Sequence, residues 1–350
     1  LTLWYHSHTM AYDIKTASEA MLAALPKRSA AILEKRFGLG KSAKRFTLEA
    51  IGNSYSITRE RVRQIESDGL NRIRKAAAFS NLQPLFSAFT DYIKQQGGMV
   101  AENQLFSRFS GKETSPEAVR FLLTLHPNLI YRGESDVWNS RWGLDGGAMD
   151  SVEQALENAA RVVASKKETI SYDELADIMR REFGAQSLPT PSNEVLASHI
   201  VISKQIGKNF FNQWGHTSSS LVRPRGVRDL AYLVFQQEGS PMHFSTAAER
   251  IRGVASPRHV HAQTVHNELI KDGRFVLVGR GMYGLAEWGY EPGTVQDIIT
   301  RVLSGGPMTK DDLVKKVLNK RQVKENTILI NLQNRKNFKK LPDGTYTNAV

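Results

Sequence analysis

A chain of 350 residues with 41% hydrophobic side chains and a mean hydropathy of −0.37 can build several cores, and no apolar run reaches the roughly 18 residues a membrane span needs. The lack of any cysteine excludes disulfides and thiolate metal sites and fits a reducing cytoplasm. A net charge of +12 and a pI near 9.7 favour a polyanionic partner.

That charge is unevenly placed. Residues 1–80 carry 14 basic against 7 acidic side chains and residues 293–350 carry 11 against 5, whereas residues 81–292 hold 22 against 23. The neutral middle is a poor phosphate-binding surface and reads as a spacer or a protein-contact region. At the start, "LTLWYHSHTM" lacks the basic opening and long apolar centre of a secretory signal. Met10-Ala11 reads as the natural start, which makes residues 1–9 a leader.

Residues 10–80 read as a helical domain. In "TLEAIGNSY" Leu48 and Ile51 share one face of a capped helix, "SIT" is a turn, and Thr58 is placed to cap "RERVRQIESDGLNRIRKAA". Val62, Ile65, Leu70 and Ile73 form the inward stripe of that second helix, leaving Arg59, Glu60, Arg63 and Gln64 outward near its start. In a helix-turn-helix these early positions meet base edges in the major groove. The side chains suit the task, since Arg forks onto guanine, Glu accepts from cytosine and Gln pairs with adenine. The competing reading is a solvated face built from pairs such as Glu60 with Gln64.

The run from "AAILEKRFGLG" through "TLEAIG" to "TRERVRQIE", about residues 25–78, resembles region 4 of the primary bacterial sigma factors. That family reads the −35 promoter hexamer and docks on the flap of RNA polymerase. The resemblance implies base contacts for Arg59, Glu60 and Gln64, and phosphate-holding or helix-orienting roles for Arg36, Thr47, Arg61 and Arg63. The turn "GNSYSIT" is more polar than the family's and puts the docking angle in doubt. Few residues precede the match, too few for the segment that melts the −10 element, so a complete primary sigma factor is not expected.

After residue 80 one pattern recurs about every 70 residues. An apolar-periodic helix opens each repeat: "LQPLFSAFTDYIKQQ", "VEQALENAARVVASK", "VRDLAYLVFQQEG" and "VQDIITRVLSGG". A short extended link and a second helix follow, with Ser171, Ser245 and Thr309 placed as N-caps. A third helix comes next, then two short strands, such as "RFVLVGRGMYGLAEW". This is the order of a winged helix. The expected fold is mainly α with small β-hairpins: the sigma-region-4-like helix-turn-helix of residues 10–80, then four tandem winged helices over 81–149, 150–225, 226–292 and 293–350.

The third repeat resembles the HARE-HTH module, the winged helix of the polymerase delta subunit's N-terminal domain, through "LAYLV…GSPM" and "DGRFVLVG…YGLAEW". The resemblance implies a non-catalytic adaptor. Within it "GRGMYG" satisfies G-x-G-x-x-G through Gly279, Gly281 and Gly284, but no helix can start at "LAEWGYEPG", so the glycines read as a turn at the wing tip. "GLGKS" fails as a P-loop because Lys35 stands where the pattern needs glycine. His243, His259, His261 and His266 lack the cysteine or carboxylate frame of a zinc site, so no metal is expected. Acid pairs such as Asp173-Glu174 and Asp311-Asp312 read as helix first turns, and Trp142, Trp214, Tyr283 and Trp288 as core plugs. No nucleophile–base constellation is present, so neither catalysis nor a cofactor is expected.

The last repeat is basic. Lys315, Lys316, Lys320, Arg321 and Lys324 lie in and after one helix, and Arg335, Lys336, Lys339 and Lys340 lie near the hairpin, as a second, phosphate-based duplex contact requires. A basic solvated face is the bland alternative. The sequence therefore reads as a cytoplasmic, nucleoid-associated, DNA-binding transcription protein with double-stranded DNA and RNA polymerase as partners. Two other readings stand beside it: a DNA-organising or mobile-element protein that binds duplex broadly, and a polymerase-binding adaptor without DNA readout. Activator or repressor sign and oligomeric state are not legible.

Overall fold

The computed structural model describes residues 13–40, 44–111, 115–254, 260–321 and 323–349; the expected leader at 1–9 and His259 lie outside them. The first helices are α1 (Ile14–Ala23), α2 (Lys27–Phe37), α3 (Leu48–Tyr55) and α4 (Arg59–Arg74). The first repeat follows as α5 (Gln83–Gln95), β1 (Met99–Ala101), α6 (Glu102–Phe109), α7 (Pro116–Leu125), β2 (Ile130–Arg132) and β3 (Arg141–Gly143). The second contributes α8 (Gly146–Ser165), α9 (Tyr172–Ala185), α10 (Asn193–Ile200), β4 (Ile206–Lys208) and β5 (Trp214–His216). The third has α11 (Val227–Glu238), β6 (Met242–His243), α12 (Phe244–Val254), α13 (Ala262–Lys271), β7 (Phe275–Gly279) and β8 (Met282–Leu285). The fourth has α14 (Val295–Leu303), α15 (Lys310–Lys320), α16 (Glu325–Leu332), β9 (Phe338–Lys340) and β10 (Tyr346–Asn348).

The chain is mainly helical with small antiparallel sheets. Sheet order is β1-β3-β2 in the first repeat and β6-β8-β7 in the third, with β9 pairing β10 in the fourth. Ser171 and Thr309 cap α9 and α15 as their sequence positions require, their hydroxyls accepting from Glu174 N at 3.1 Å and Asp312 N at 3.3 Å. Ser245 does not cap: it lies inside the first turn of α12, its hydroxyl 2.7 Å from Nδ1 of His243. Helix α8 begins at Gly146, ahead of the "VEQALENAARVVASK" run, because the Asp145 carboxylate takes the Ala148 amide at 2.7 Å. The strand β4 ends at Lys208, just before "NFFNQWGH", in which only Trp214–His216 is strand. Gly279 ends β7 and Gly281 turns with φ 67° into β8, so "GRGMYG" is a strand turn; only a single 3-10 turn, Ala286–Trp288, follows β8, and no long helix starts there.

The chain divides into two compact bodies, one ending at Gly207 and one beginning at Lys208. In the first, α1 to α4 and the first repeat share one hydrophobic core running from Ile14 to Trp142. The centre of that core is α7. Val119, Phe121, Leu122, Leu123 and Leu125 are fully buried. The Phe37 ring of α2 meets Phe121 edge-on at 5.1 Å, and Arg74 at the end of α4 donates to the carbonyl of Thr124 at 2.9 Å. The polar residue of this helix is also consumed: Arg120 forks onto the buried Glu102, which accepts from the Trp142 indole at 3.2 Å.

Helix α10 packs on the first repeat in the same body. Gly97 has φ +80°, and a Cβ there would lie 2.8 Å from Val195 Cγ1 and 3.0 Å from His199 Cε1, so only glycine lets α10 approach this closely. His199 stacks on Phe183 with ring centroids 5.5 Å apart. Burial pushes its imidazole down to about 4, the nearby backbone of Met99 and Gln96 opposing. The Asn139 side chain donates to Val201 O at 2.8 Å and fixes the other end of the contact.

In the second body the third and fourth repeats have separate cores. One gathers Phe235, Ile251, Val265 and Tyr283; the other gathers Ile299, Val317, Ile328 and Phe338.

Candidate nucleic-acid interface

Local chemistry builds the α3–turn–α4 segment. Thr47 Oγ1 accepts from Ala50 N and Thr58 Oγ1 from Arg61 N, both at 3.1 Å, so each helix start has a satisfied amide. Glycine is required at residue 52, because a Cβ there would stand 2.6 Å from the carbonyl oxygen of Ile57. Ile57 N bonds back to Gly52 O at 3.0 Å, and Ser56 takes the left-handed cap with φ 53°. Ile51, Val62 and Ile73 are buried beneath the turn, with Ile65 and Leu70 packed partly against them. The segment is a helix-turn-helix whose second helix turns its first two turns outward.

Arg59, Glu60, Arg61, Arg63 and Gln64 are all exposed on α4, so the expected base-reading positions share one solvent-facing surface. They are ordered by each other. Arg63 donates from Nη2 to Glu60 Oε1 at 2.7 Å and from Nε to Oε2 at 2.9 Å. The Arg63 hydrogen bond holds the Glu60 carboxyl below the usual carboxylate range. Arg61 donates to the Gln64 side-chain oxygen at 3.1 Å. Only Arg59 of the five projects without a side-chain partner among the described residues.

Arg36 has an orienting place. Its guanidinium donates to Glu66 at 3.1 Å and to the Phe46 carbonyl at 3.3 Å, tying α2, α4 and the approach to α3 together. Thr47, exposed at the start of α3, is occupied as a cap. Sequence reading missed Arg45, which precedes that cap. Its guanidinium lies near those of Arg36 and Arg120, and partial burial and these two like charges push its pKa down. The only signal was the basic pair Lys44-Arg45 before the capping threonine.

The cations of the last repeat do not form one surface. Arg321 is corrected: it is only 8% exposed, and its guanidinium donates to the Gly293 carbonyl, so it cannot reach phosphate. Lys320 is bonded to Glu291, which also holds Arg301 at 2.9 Å. Lys315, Lys316 and Lys324 are exposed along and just beyond α15. Arg335, Lys339 and Lys340 line one groove with Lys310, whereas Lys336 lines another with Asp297 and Arg301. Lys310 was missed because it opens a helix with two aspartates, which read as first-turn capping chemistry. In the third repeat His243 is engaged with Ser245 and His266 stacks on Phe244 at 4.4 Å. No helix among the described residues is long and apolar enough to cross a membrane.

Residues 21–75 match the family Sigma-70, region 4. The chain is similar to the RNA polymerase sigma factor RpoD of two Helicobacter pylori strains, ATCC 700392 / 26695 and J99 / ATCC 700824. Identity to each is 43% over 67 residues, which covers 19% of this chain and 10% of the sigma factor. The chain thus spans about a tenth of the length of these curated relatives, and the family match runs from the end of α1 through α4.

Proposed function

We propose that this chain is a non-enzymatic DNA-binding transcription protein whose α4 reads a −35-like promoter element in the major groove. One observation carries the reading. The helix-turn-helix that matches region 4 presents Arg59, Glu60 and Gln64 outward on a capped, buried-backed helix, the placement base readout needs. Arg61, Arg63 and Arg45 flank that face as phosphate contacts, with Arg36 and Thr47 orienting it. RNA polymerase is the protein partner this reading implies, and the cytoplasm its compartment. The repeated order of helix, link, two helices and two strands supports four winged helices behind the reading module, the third of HARE-HTH type.

The test is fluorescence anisotropy of the whole chain on a duplex containing TTGACA against a scrambled duplex, with Arg59→Ala beside the wild type. The expected preference is about tenfold, lost in the variant at a cost of about 1–3 kcal/mol on the promoter duplex alone. Equal binding to both duplexes would leave α4 without a reading role.

A further inference from the structure

The last repeat sorts its cations into two classes. Lys320, Arg321 and Arg301 are consumed by Glu291 and the backbone around Gly293, where they join α14 to α15. Arg335, Lys339, Lys340 and Lys310 are different. They line one open groove between the start of α15 and the β9 strand, no carboxylate lines it with them, and none of them forms an ion pair among the described residues. The groove floor is apolar, made by Leu332 and Phe338, and Lys340 rests its ammonium 5.9 Å from the centroid of the Tyr346 ring.

We propose that this groove is a second duplex-binding site, which grips the phosphate backbone from the hairpin side without reading sequence. Four uncompensated cations along an open surface match a line of phosphates better than a single small anion, which an enclosed pocket would hold. Each phosphate neutralised releases condensed counterion, and that release drives such binding. The third helix of the repeat offers no cation of its own to hold phosphate. Residues 325–333 contain no Lys or Arg, and the outer face of α16 shows Glu325 and an Ile330 that is 64% exposed. The hairpin and the start of α15 therefore do the holding, through phosphate rather than base edges. Acidic protein is the less fitting occupant, because the four cations are spread over the start of α15, the residues before β9 and β9 itself, with no further charged group among the described residues lining the groove to select one carboxylate pattern.

The site stands whatever α4 reads, and its test separates the two. Binding of the whole chain to a 20-base-pair duplex lacking the hexamer is followed by anisotropy across a salt series. Arg335→Gln, Lys339→Gln and Lys340→Gln are introduced together. A control removes three exposed charges of the other body, Lys15→Gln, Lys27→Gln and Lys94→Gln. The groove variant should lower the slope of log K against log salt by about 2–3, at about 0.9 per lost contact, while the control keeps the slope. All six side chains are exposed, so the thermal midpoint should hold in both variants and exclude unfolding. An unchanged slope, or an equal loss in the control, overturns the site. Stronger competition by single-stranded RNA or by polyglutamate than by duplex DNA overturns the ligand. Loss of hexamer preference in Arg59→Ala with the groove effect intact would show two independent contacts.

Discussion

Helices α4 and α7 occupy the same kind of place, each the last helix before its module closes, yet they have opposite fates. Helix α4 buries Val62 and Ile73 and keeps the five polar side chains from Arg59 to Gln64 in solvent; α7 buries most of its circumference and spends Arg120 on Glu102. The difference lies in composition on the outer face. "RERVRQ" offers charge where "AVRFLL" offers carbon, so water keeps one face and the neighbouring helices take the other. A module whose third helix is mostly buried offers no face to a groove and packs on its neighbours, here α1, α2 and the end of α4. The comparison teaches that the first repeat acts as a rigid extension of the helix-turn-helix, while the last repeat, with its own core, leaves a charged groove open.

The comparison breaks most visibly at Phe121. Phe121→Ala should cost about 3–5 kcal/mol in urea unfolding and lower the stability of the α3–α4 segment with it, because the core is shared. An exposed helix would tolerate the change within about 0.5 kcal/mol, and such a result would separate the two modules.

A smaller effect sharpens how firmly the second repeat is attached. His199 titrates near 6.5 when unfolded and near about 4 when folded, so the unfolded chain binds the extra proton between those values. The stability is fully present above pH 6.5 and declines as pH falls toward 4. Between pH 7.5 and pH 5.0 the wild type should lose about 2 kcal/mol more than His199→Leu, measured by urea unfolding at both pH values. Parallel losses in the two proteins would mean that the ring is solvated.

The smallest effect falls on α4 itself. Glu60→Ala frees Arg63 and removes a carboxylate from the surface proposed to meet DNA. Affinity for a scrambled duplex should rise about two- to fivefold, while stability stays unchanged. A fall in that affinity would show that Glu60 positions Arg63 for its contact.

Much of this was legible in the sequence. The 3.6-residue stripe of α4, the Thr58 cap and the Thr309 cap are local properties, set by side chains within a few residues of the groups they serve. So is Gly281, whose positive φ turns β7 into β8. What escaped was decided by distant partners. Arg321 and Lys336 sit in a basic run and look alike in sequence, yet one is buried against Gly293 and the other is exposed. Ser245 has a capping residue's chemistry, but His243 holds its hydroxyl.

The sequence by itself determined the helix-turn-helix, the outward face of its second helix and the recurrence of helices and strands, because periodicity and capping act over one or two turns. Only the tertiary structure decided which third helices are buried, which cations remain free and where Arg45 stands, because burial and ion pairing depend on groups brought together from 10 to 50 residues apart.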